Sequence, residues 1–485
     1  MTLPSKNNGF TIASSGIVHI LFLVGLLVMA YSLVTQNWLI FVCVLALPLT
    51  IITLLFAIEK PMLSYMLYVI VVCYFSAIYR YSGIEGLSGI LDILLAFCLF
   101  SIFINVISNK SSYQWQLGMN VLTLSYLLWL SYCILILLSP HATLNNLLSH
   151  RGVFIGLPLS YFISCILLCS TKKLRITLLL LCCFIVTVSF KLYWQRVRGW
   201  DSTEVAWLMK GAWQTHLLST GVRYFSFYSD AGNFGSSMGM FTITLGIIGV
   251  IAKKKLIRYS CIASAGLAAV GLLMSGTRGA IIVPMGGLLL YLLLSKNLKN
   301  IISSVIICGL TFCFFYFTDI GDDNSFIRRM RTAFRPTEDA SFNVRIENQK
   351  RFATYLADKP FGLGVGGVIM DPNNDGINEE RTLPTDSFYV GIWVEGGIVG
   401  LYLYIGIQVL VLLRCCYLIM FRIRNDQLRK ILAALLCGVF GIWLNGYVGR
   451  GMGANPSGLI IAIFLAFVLN GVYMDKELKK DEIII

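Results

Sequence analysis

The stretch PTDSFYVGIWVEGGIVGL, Pro384–Leu401, decides how this chain is read. It opens on a turn proline and the polar pair Asp386–Ser387, then runs into apolar residues interrupted only by Glu395 and by glycines. A polar start followed by a long apolar run is the pattern of a chain re-entering a hydrocarbon layer. What comes before it is polar. From Thr318 the chain holds a basic run, NVRIENQKRFATYLADKP (Asn343–Pro360), and a glycine cluster, PFGLGVGG (Pro360–Gly367). In a sequence that is otherwise almost continuous apolar helix, Thr318–Leu401 is the segment the rest is built to present.

The 485 residues are 57% hydrophobic and 13% charged, with a mean hydropathy of +0.78. A soluble fold could not cover that much apolar surface, so the fold class is an all-α polytopic membrane protein. Apolar runs repeatedly reach the ~20 residues that a ~30 Å hydrocarbon core requires, and the short alternating strands of a membrane barrel are missing. Spans are predicted near 12–34, 37–58, 62–79, 84–107, 118–139, 152–169, 174–190, 231–251, 256–274, 279–295, 299–317, 387–412, 431–448 and 456–473. The architecture is therefore about 12–14 transmembrane helices in one membrane domain, 1–485. Two long polar loops interrupt it, 191–230 and 318–385, the second carrying an amphipathic helix between the late spans. The first apolar run, Ile12–Val34, is too long for a signal-peptide core and lacks a small-residue cleavage pattern, so it reads as a span.

Placing Lys6 inside makes the alternate loops basic: Lys60, Lys110, Lys172/Lys173/Arg175, Lys253/Lys254/Lys255/Arg258, Lys296/Lys299, the 414–430 loop and Lys476/Lys479/Lys480. Short loops on the other side carry single arginines, Arg80, Arg151, Arg278 and Arg450. This positive-inside pattern puts both long loops on the outer face. The net charge of +14 is thus spread over membrane loops, and with no nucleic-acid-binding motif present a nucleic acid is excluded as partner. All 14 cysteines fall in apolar spans or inside loops, none in 191–229 or 318–385, and no CxxC or Cys/His spacing points to a disulfide framework or a zinc site.

Arginine offers a planar fork of donors suited to phosphate and diphosphate oxygens. Three arginines stand in contexts that invite this use. Arg223 leads into FSFYSDAGNFGSSMG, where Asp230 and small residues sit at a helix start; ligand binding and ordinary capping by Asp230 both fit. Arg278 lies in the hairpin Ser275–Gly279, where Ser275 and Thr277 are placed to hold an arginine too deep to be left unaided. Arg345 opens a helix capped by Ser341 or Asn343 and stopped near Ala357 by Pro360 and Gly362. Val344, Phe352, Tyr355 and Leu356 give that helix an apolar stripe for the membrane face, leaving Arg345, Lys350 and Arg351 for solvent or phosphate. The glycine cluster has no Walker lysine and serves a close backbone turn. Nine helical residues separate Asp386 from Glu395, about 13 Å, so both cannot meet one substrate atom. Asp386 is the candidate general base. Glu395 and Asp92 are buried structural carboxylates. The DPNND sequence at Asp371 lacks the full calcium-loop pattern, and no metal site is predicted.

In order, these pieces resemble the O-antigen polymerase and O-antigen ligase superfamily of bacterial envelope glycosyltransferases, with the core of the likeness over 275–400. The carriers are the S-G-[ST]-R-G hairpin (Ser275–Gly279), the arginine-led helix and glycine cluster from Arg345 to Gly367, and the re-entry pattern. The family's His-Asn, Glu, Gly and Gly-Leu offsets are filled here by Asp386, Ser387, Glu395, Gly397, Gly400 and Leu401. The resemblance implies that Arg223, Arg278 and Arg345 hold the diphosphate of an undecaprenyl-diphosphate-linked oligosaccharide, supported by Asp230, Ser275, Thr277, Ser387 and Glu395. It implies a metal-independent, inverting transfer without cofactor, at the outer face of the bacterial cytoplasmic (inner) membrane. Membrane lipids and a chain-length regulator are the implied partners. Family ligases have histidine where this chain has Asp386, which tilts the reading from ligase to polymerase. A flippase is the rival from another class, but it would need polar groups continuing to the inner face, and the charged residues within spans gather in the outer half.

Overall fold

A computed structural model describes residues 57–84, 86–108, 113–137, 152–218, 221–296, 298–334, 340–366, 385–478 and 484. The predicted span 12–34, nearly all of 37–58, Lys6, Lys110, Arg151 and the Asp371 sequence lie outside these residues. Each of the other predicted spans falls on a helix: α1 (Pro61–Ser82), α2 (Gly89–Ile107), α3 (Val121–Ile136), α4 (Leu157–Leu167), α5 (Thr171–Val197), α6 (Ala231–Ile251), α7 (Lys255–Met274), α8 (Ile282–Leu294) and α9 (Leu298–Phe317). Two loop helices follow, α10 (Ser325–Arg331) and α11 (Ala340–Tyr355), and then α12 (Phe388–Tyr417), α13 (Asp426–Asn445), α14 (Ser457–Leu469) and α15 (Gly471–Glu477). Among the described residues seven helices are long and apolar enough to cross a membrane, or eight counting the bent pair α14–α15, with shorter apolar helices between them. The protein is an all-α, multi-pass membrane protein; its strand content in the described residues is a two-residue antiparallel pair, Leu217–Leu218 with Gly221–Val222.

The chain divides into two compact units. In the smaller, Met1–Met66 with Phe97–Ser111, Ser101 Oγ donates to the carbonyls of Ala57 (2.7 Å) and Ile58 (3.0 Å). The larger, Leu67–Ala96 with Ser112–Ile485, contains every predicted site residue.

The centre of the larger unit is the packing of α6, α7, α8 and α13. Hydrocarbon gives no hydrophobic force between helices, so close approach and interhelical hydrogen bonds hold them. Glycine supplies the approach: a Cβ at Gly441 would stand 2.2 Å from the Val283 carbonyl oxygen, and one at Gly287 2.8 Å from that of Cys437. Buried polar side chains supply the bonds. Asn445 donates to Ser236 (2.7 Å), Ser457 to Asn233 (2.7 Å), and Asn233 to the Asn455 carbonyl (2.8 Å). These contacts fix the ends of α6 and α13 that carry the functional region.

Candidate functional site: an arginine-lined cavity

The hairpin after α7 shows what SGTRG is for. Ser275, fully buried, donates to Leu272 O (2.7 Å) and accepts from Thr277 N–H (3.1 Å), so it closes the turn and does not face the cavity. Gly276 sits at φ +58°, and a Cβ there would lie 3.0 Å from Arg223 Cγ and 3.3 Å from Arg329 Cδ. The missing side chain is the space through which two arginines pass. The sequence assigns Ser275 and Thr277 to hold Arg278; the structure corrects this. Arg223 donates through Nη2 to Thr277 Oγ1 (2.9 Å) and through Nε to Ser275 O (3.4 Å), while Arg329 Nε donates to Gly276 O (2.6 Å). The turn's acceptors point at the arginines packed across it. Arg278, first residue of the following turn, is held from elsewhere, by Nη1 to Thr332 Oγ1 (3.2 Å).

Arg223 is presented by the strand pair and also donates to Thr215 O (3.0 Å). Burial, opposed by Asp230 and reinforced by Arg278 and Arg345, lowers its pKa to about 10, so it remains charged at neutral pH. Asp230 caps α6 by accepting from Asn233 N–H (2.9 Å) and also lines the cavity, so both readings of that residue hold in the geometry.

Arg345 arrives on α11, and here the helix face departs from the predicted one. Phe352 and Leu356 pack on Leu363 of the glycine cluster and on Val390 and Val394 of the re-entry segment of α12, while Val344 is 57% exposed. At 100° per residue Arg345, Phe352 and Leu356 share one face and Val344 lies off it. Burying Phe352 against α12 therefore aims Arg345 inward, and Lys350 and Arg351 are left exposed. The helix starts at Ala340, so neither Ser341 nor Asn343 is its N-cap. Arg345 Nε reaches 3.7 Å from Asp386 Oδ2, too far for a hydrogen bond, and is buried without a hydrogen-bond partner among the described residues.

The re-entry segment is locked from both sides. Ser387 caps α12 by accepting from Val390 N–H (3.3 Å) and donates to Gly446 O (3.0 Å), which fixes Asp386 beside the end of α13. The glycine cluster packs against a break in α12 at Gly397 (φ +66°): Leu363 and Gly364 donate to Val394 O and Glu395 O (both 2.9 Å), and a Cβ at Gly397 would stand 2.0 Å from Pro360 O. The Glu395 carbonyl thus faces the glycine loop.

These elements enclose a cavity of about 710 Å³. Of the predicted residues Arg223, Arg278, Arg345, Asp386, Asp230 and Thr277 line it; Ser275, Ser387 and Glu395 do not. Arg329, His216 and Asn445, which nothing in the sequence singles out, also line it, as does Arg450, expected only as an outer-loop arginine. Arg329 is hidden in SFIRRMR, where its neighbours do other work: Arg331 pairs with Asp322 (2.5 Å) and Arg328 donates to Asp322 O (3.0 Å). Arg450 is exposed and has no hydrogen-bond or ion-pair partner among the described residues. Arg80, by contrast, is structural, donating to Ser226 O and Tyr228 O between the rings of Trp207 and Phe225. Five arginines therefore face two carboxylates in one cavity, an excess of positive charge that suits a polyanionic ligand.

An apolar groove of about 1400 Å³ adjoins it, lined by α6, α7, α8 and α9 residues including Ile247, Leu272, Leu288, Ile307 and Phe315, and reaching Lys253 and Lys430 at its far end. Ile281 and Met285 line both spaces. Among the described residues no group of three His, Cys, Asp or Glu could hold a metal.

Residues 263–405, from within α7 through the hairpin, α11 and the re-entry segment, match a protein-family model described as O-antigen ligase. Comparison with curated proteins gave no match.

Proposed function

The chain belongs to the O-antigen ligase/polymerase superfamily, and on that premise we propose that it joins undecaprenyl-diphosphate-linked oligosaccharide repeat units into O-antigen or a related surface polysaccharide at the outer face of the inner membrane. The observation that carries the reading is the shared wall of Ile281 and Met285. A cavity with five arginines opens beside an apolar groove, the two halves a prenyl diphosphate needs. The lysine-bearing far end of the groove then faces the cytoplasm.

In this reading Arg223, Arg278 and Arg345 bind the donor's diphosphate, with Arg329 and Arg450 as further cations. Asp386 accepts the proton of the acceptor hydroxyl, whose oxygen attacks the donor sugar C1 as the lipid diphosphate departs. Negative charge grows on that leaving group, and guanidinium groups already placed around it stabilise the transition state more than the ground state. The 3.7 Å separation leaves Arg345 held to Asp386 by charge alone, so a phosphate can draw it away and leave the carboxylate to the hydroxyl. Thr277 acts by orienting Arg223, and Asp230 by fixing the start of α6; Ser275, Ser387 and Glu395 support the backbone. No metal or cofactor is required. A chain-length regulator as partner belongs to the same proposal.

Ligation to lipid A core is the second reading, favoured by the description of the matched family model and opposed by aspartate at position 386. Purified protein supplied with undecaprenyl-diphosphate-linked repeat units decides between them. A ladder of longer lipid-linked chains supports polymerisation. Transfer only after adding lipid A core overturns it for the ligase, and movement across vesicles without reaction overturns both for a flippase.

A further inference from the structure

We propose that His216 is the positioning residue of the arginine cavity: its carbonyl holds the backbone of Arg223 and its imidazole holds the first turn of α6. The proposal rests on the diphosphate reading of that cavity. His216 is 2% exposed and lines it. Its Nδ1 lies 2.8 Å from Ala212 O and 2.9 Å from Thr215 Oγ1, while its Nε2 lies 3.2 Å from the N–H of Ala231. A ring nitrogen facing a carbonyl must donate and one facing an amide N–H must accept, so the geometry selects the neutral imidazole with its proton on Nδ1.

Three attachments converge on Arg223 and α6. The His216 carbonyl accepts the N–H of Arg223 (2.9 Å), and the preceding carbonyl, Thr215 O, accepts Arg223 Nη1 (3.0 Å). The Nε2 lone pair holds Ala231 N–H, one of the amides a helix start leaves without an intrahelical partner. Ala231 in turn accepts from Thr277, the same hydroxyl that accepts from Arg223. Trp207 and Phe225 seat the ring, each with its centroid 5.2 Å away.

The charged groups facing the imidazole are Arg80 from α1, Arg223 from the strand pair and Asp230 from the cap of α6; Glu204, on the turn carrying Trp207, is committed to Lys191 and Gln195. Burial, with Arg223 and Arg80 acting the same way and the Ala212 bond and Asp230 opposing, holds the pKa below the ordinary 6.5. Above that pH the ring is neutral and accepts. Protonation at lower pH turns Nε2 into a donor facing another donor, which releases α6 and with it Arg223.

The test measures the affinity of undecaprenyl diphosphate for the full-length protein in detergent at about pH 7.5 and in a descending pH series that continues until the wild-type affinity falls, the end of which is the lower pH. Arg223→Ala is expected to weaken binding about tenfold or more. His216→Leu, without an acceptor, weakens it similarly at both pH values. The double variant is no weaker than Arg223→Ala alone, because both remove the same contact. His216→Gln keeps an acceptor that does not titrate, so it binds within about threefold of wild type at the higher pH and exceeds it at the lower. Comparing the two proteins at one pH cancels the titration of the probe itself. Losses that multiply in the double variant, or an acid weakening in His216→Gln equal to that of wild type, overturn the proposal even if His216→Leu fails to accumulate. Wild-type affinity in Arg223→Ala overturns the diphosphate reading, and this proposal with it.

Discussion

Gly276→Ala separates a cavity that works through placed arginines from one that is merely basic. The substitution leaves every charge intact. It puts a Cβ on a residue at φ +58°, a conformation that costs an L-residue about 1–2 kcal/mol. That Cβ would meet Arg223 Cγ at 3.0 Å and Arg329 Cδ at 3.3 Å, so both arginine stems must shift by a few tenths of an ångström. Their guanidinium groups lie farther out and swing further. Misplacement approaching 1 Å costs about 100-fold in rate where geometry matters. The expected outcome is a protein that still inserts and accumulates but forms polymer about 10- to 100-fold more slowly. Gly266→Ala is the control: it lies in α7 with nothing within 4 Å of the added Cβ and is expected to behave as wild type. Lipid-linked chain length is read on gels from membranes with matched protein levels. Wild-type polymer from Gly276→Ala would refute the argument that close packing of Arg223 and Arg329 across this glycine matters.

Arg278→Ala and Arg278→Lys are both expected to abolish polymer formation while the protein accumulates, because lysine cannot reproduce the fork; near-normal chains in both would remove Arg278 from the site. Asp386→Asn is expected to lose activity and Asp386→His to retain part of it, and normal glycan from Asp386→Asn would end the general-base assignment. Phe352→Ala empties a fully buried position between α11 and α12 and is expected to cost about 3–5 kcal/mol of local packing, releasing Arg345; Phe352→Leu should recover most of the lost activity, and full activity in Phe352→Ala would show that α11 does not need this anchor. Activity is expected to survive chelation by EDTA, checked by polymer yield before and after treatment.

Hydropathy made the helices legible because a span must satisfy its backbone bonds internally whatever surrounds it. The hairpin and the re-entry segment were legible for a related reason: Gly276, Gly397 and Ser387 stand where backbone geometry leaves little choice. Side-chain destinations were harder to read. The apolar residues of α11 pointed to a membrane face, but the stripe that is buried, Phe352 and Leu356, packs on α12, a partner no local pattern names. Thr277 sits next to Arg278 in sequence yet holds Arg223, because the turn's acceptors face across the hairpin. Arg329 and His216 left no signal at all. One is among several arginines of a short helix, the other an isolated histidine in a polar loop, and only tertiary packing sends each into the cavity.

In the proposed function one cavity, assembled from three distant stretches, binds a lipid diphosphate. Its most direct test is a cryo-electron microscopy structure of the protein with undecaprenyl diphosphate. The two phosphates are expected among Arg223, Arg278 and Arg345, with the prenyl chain passing Ile281 and Met285 into the groove. Phosphate density at the lysine end near Lys253 and Lys430, with the arginine cavity empty, would contradict it.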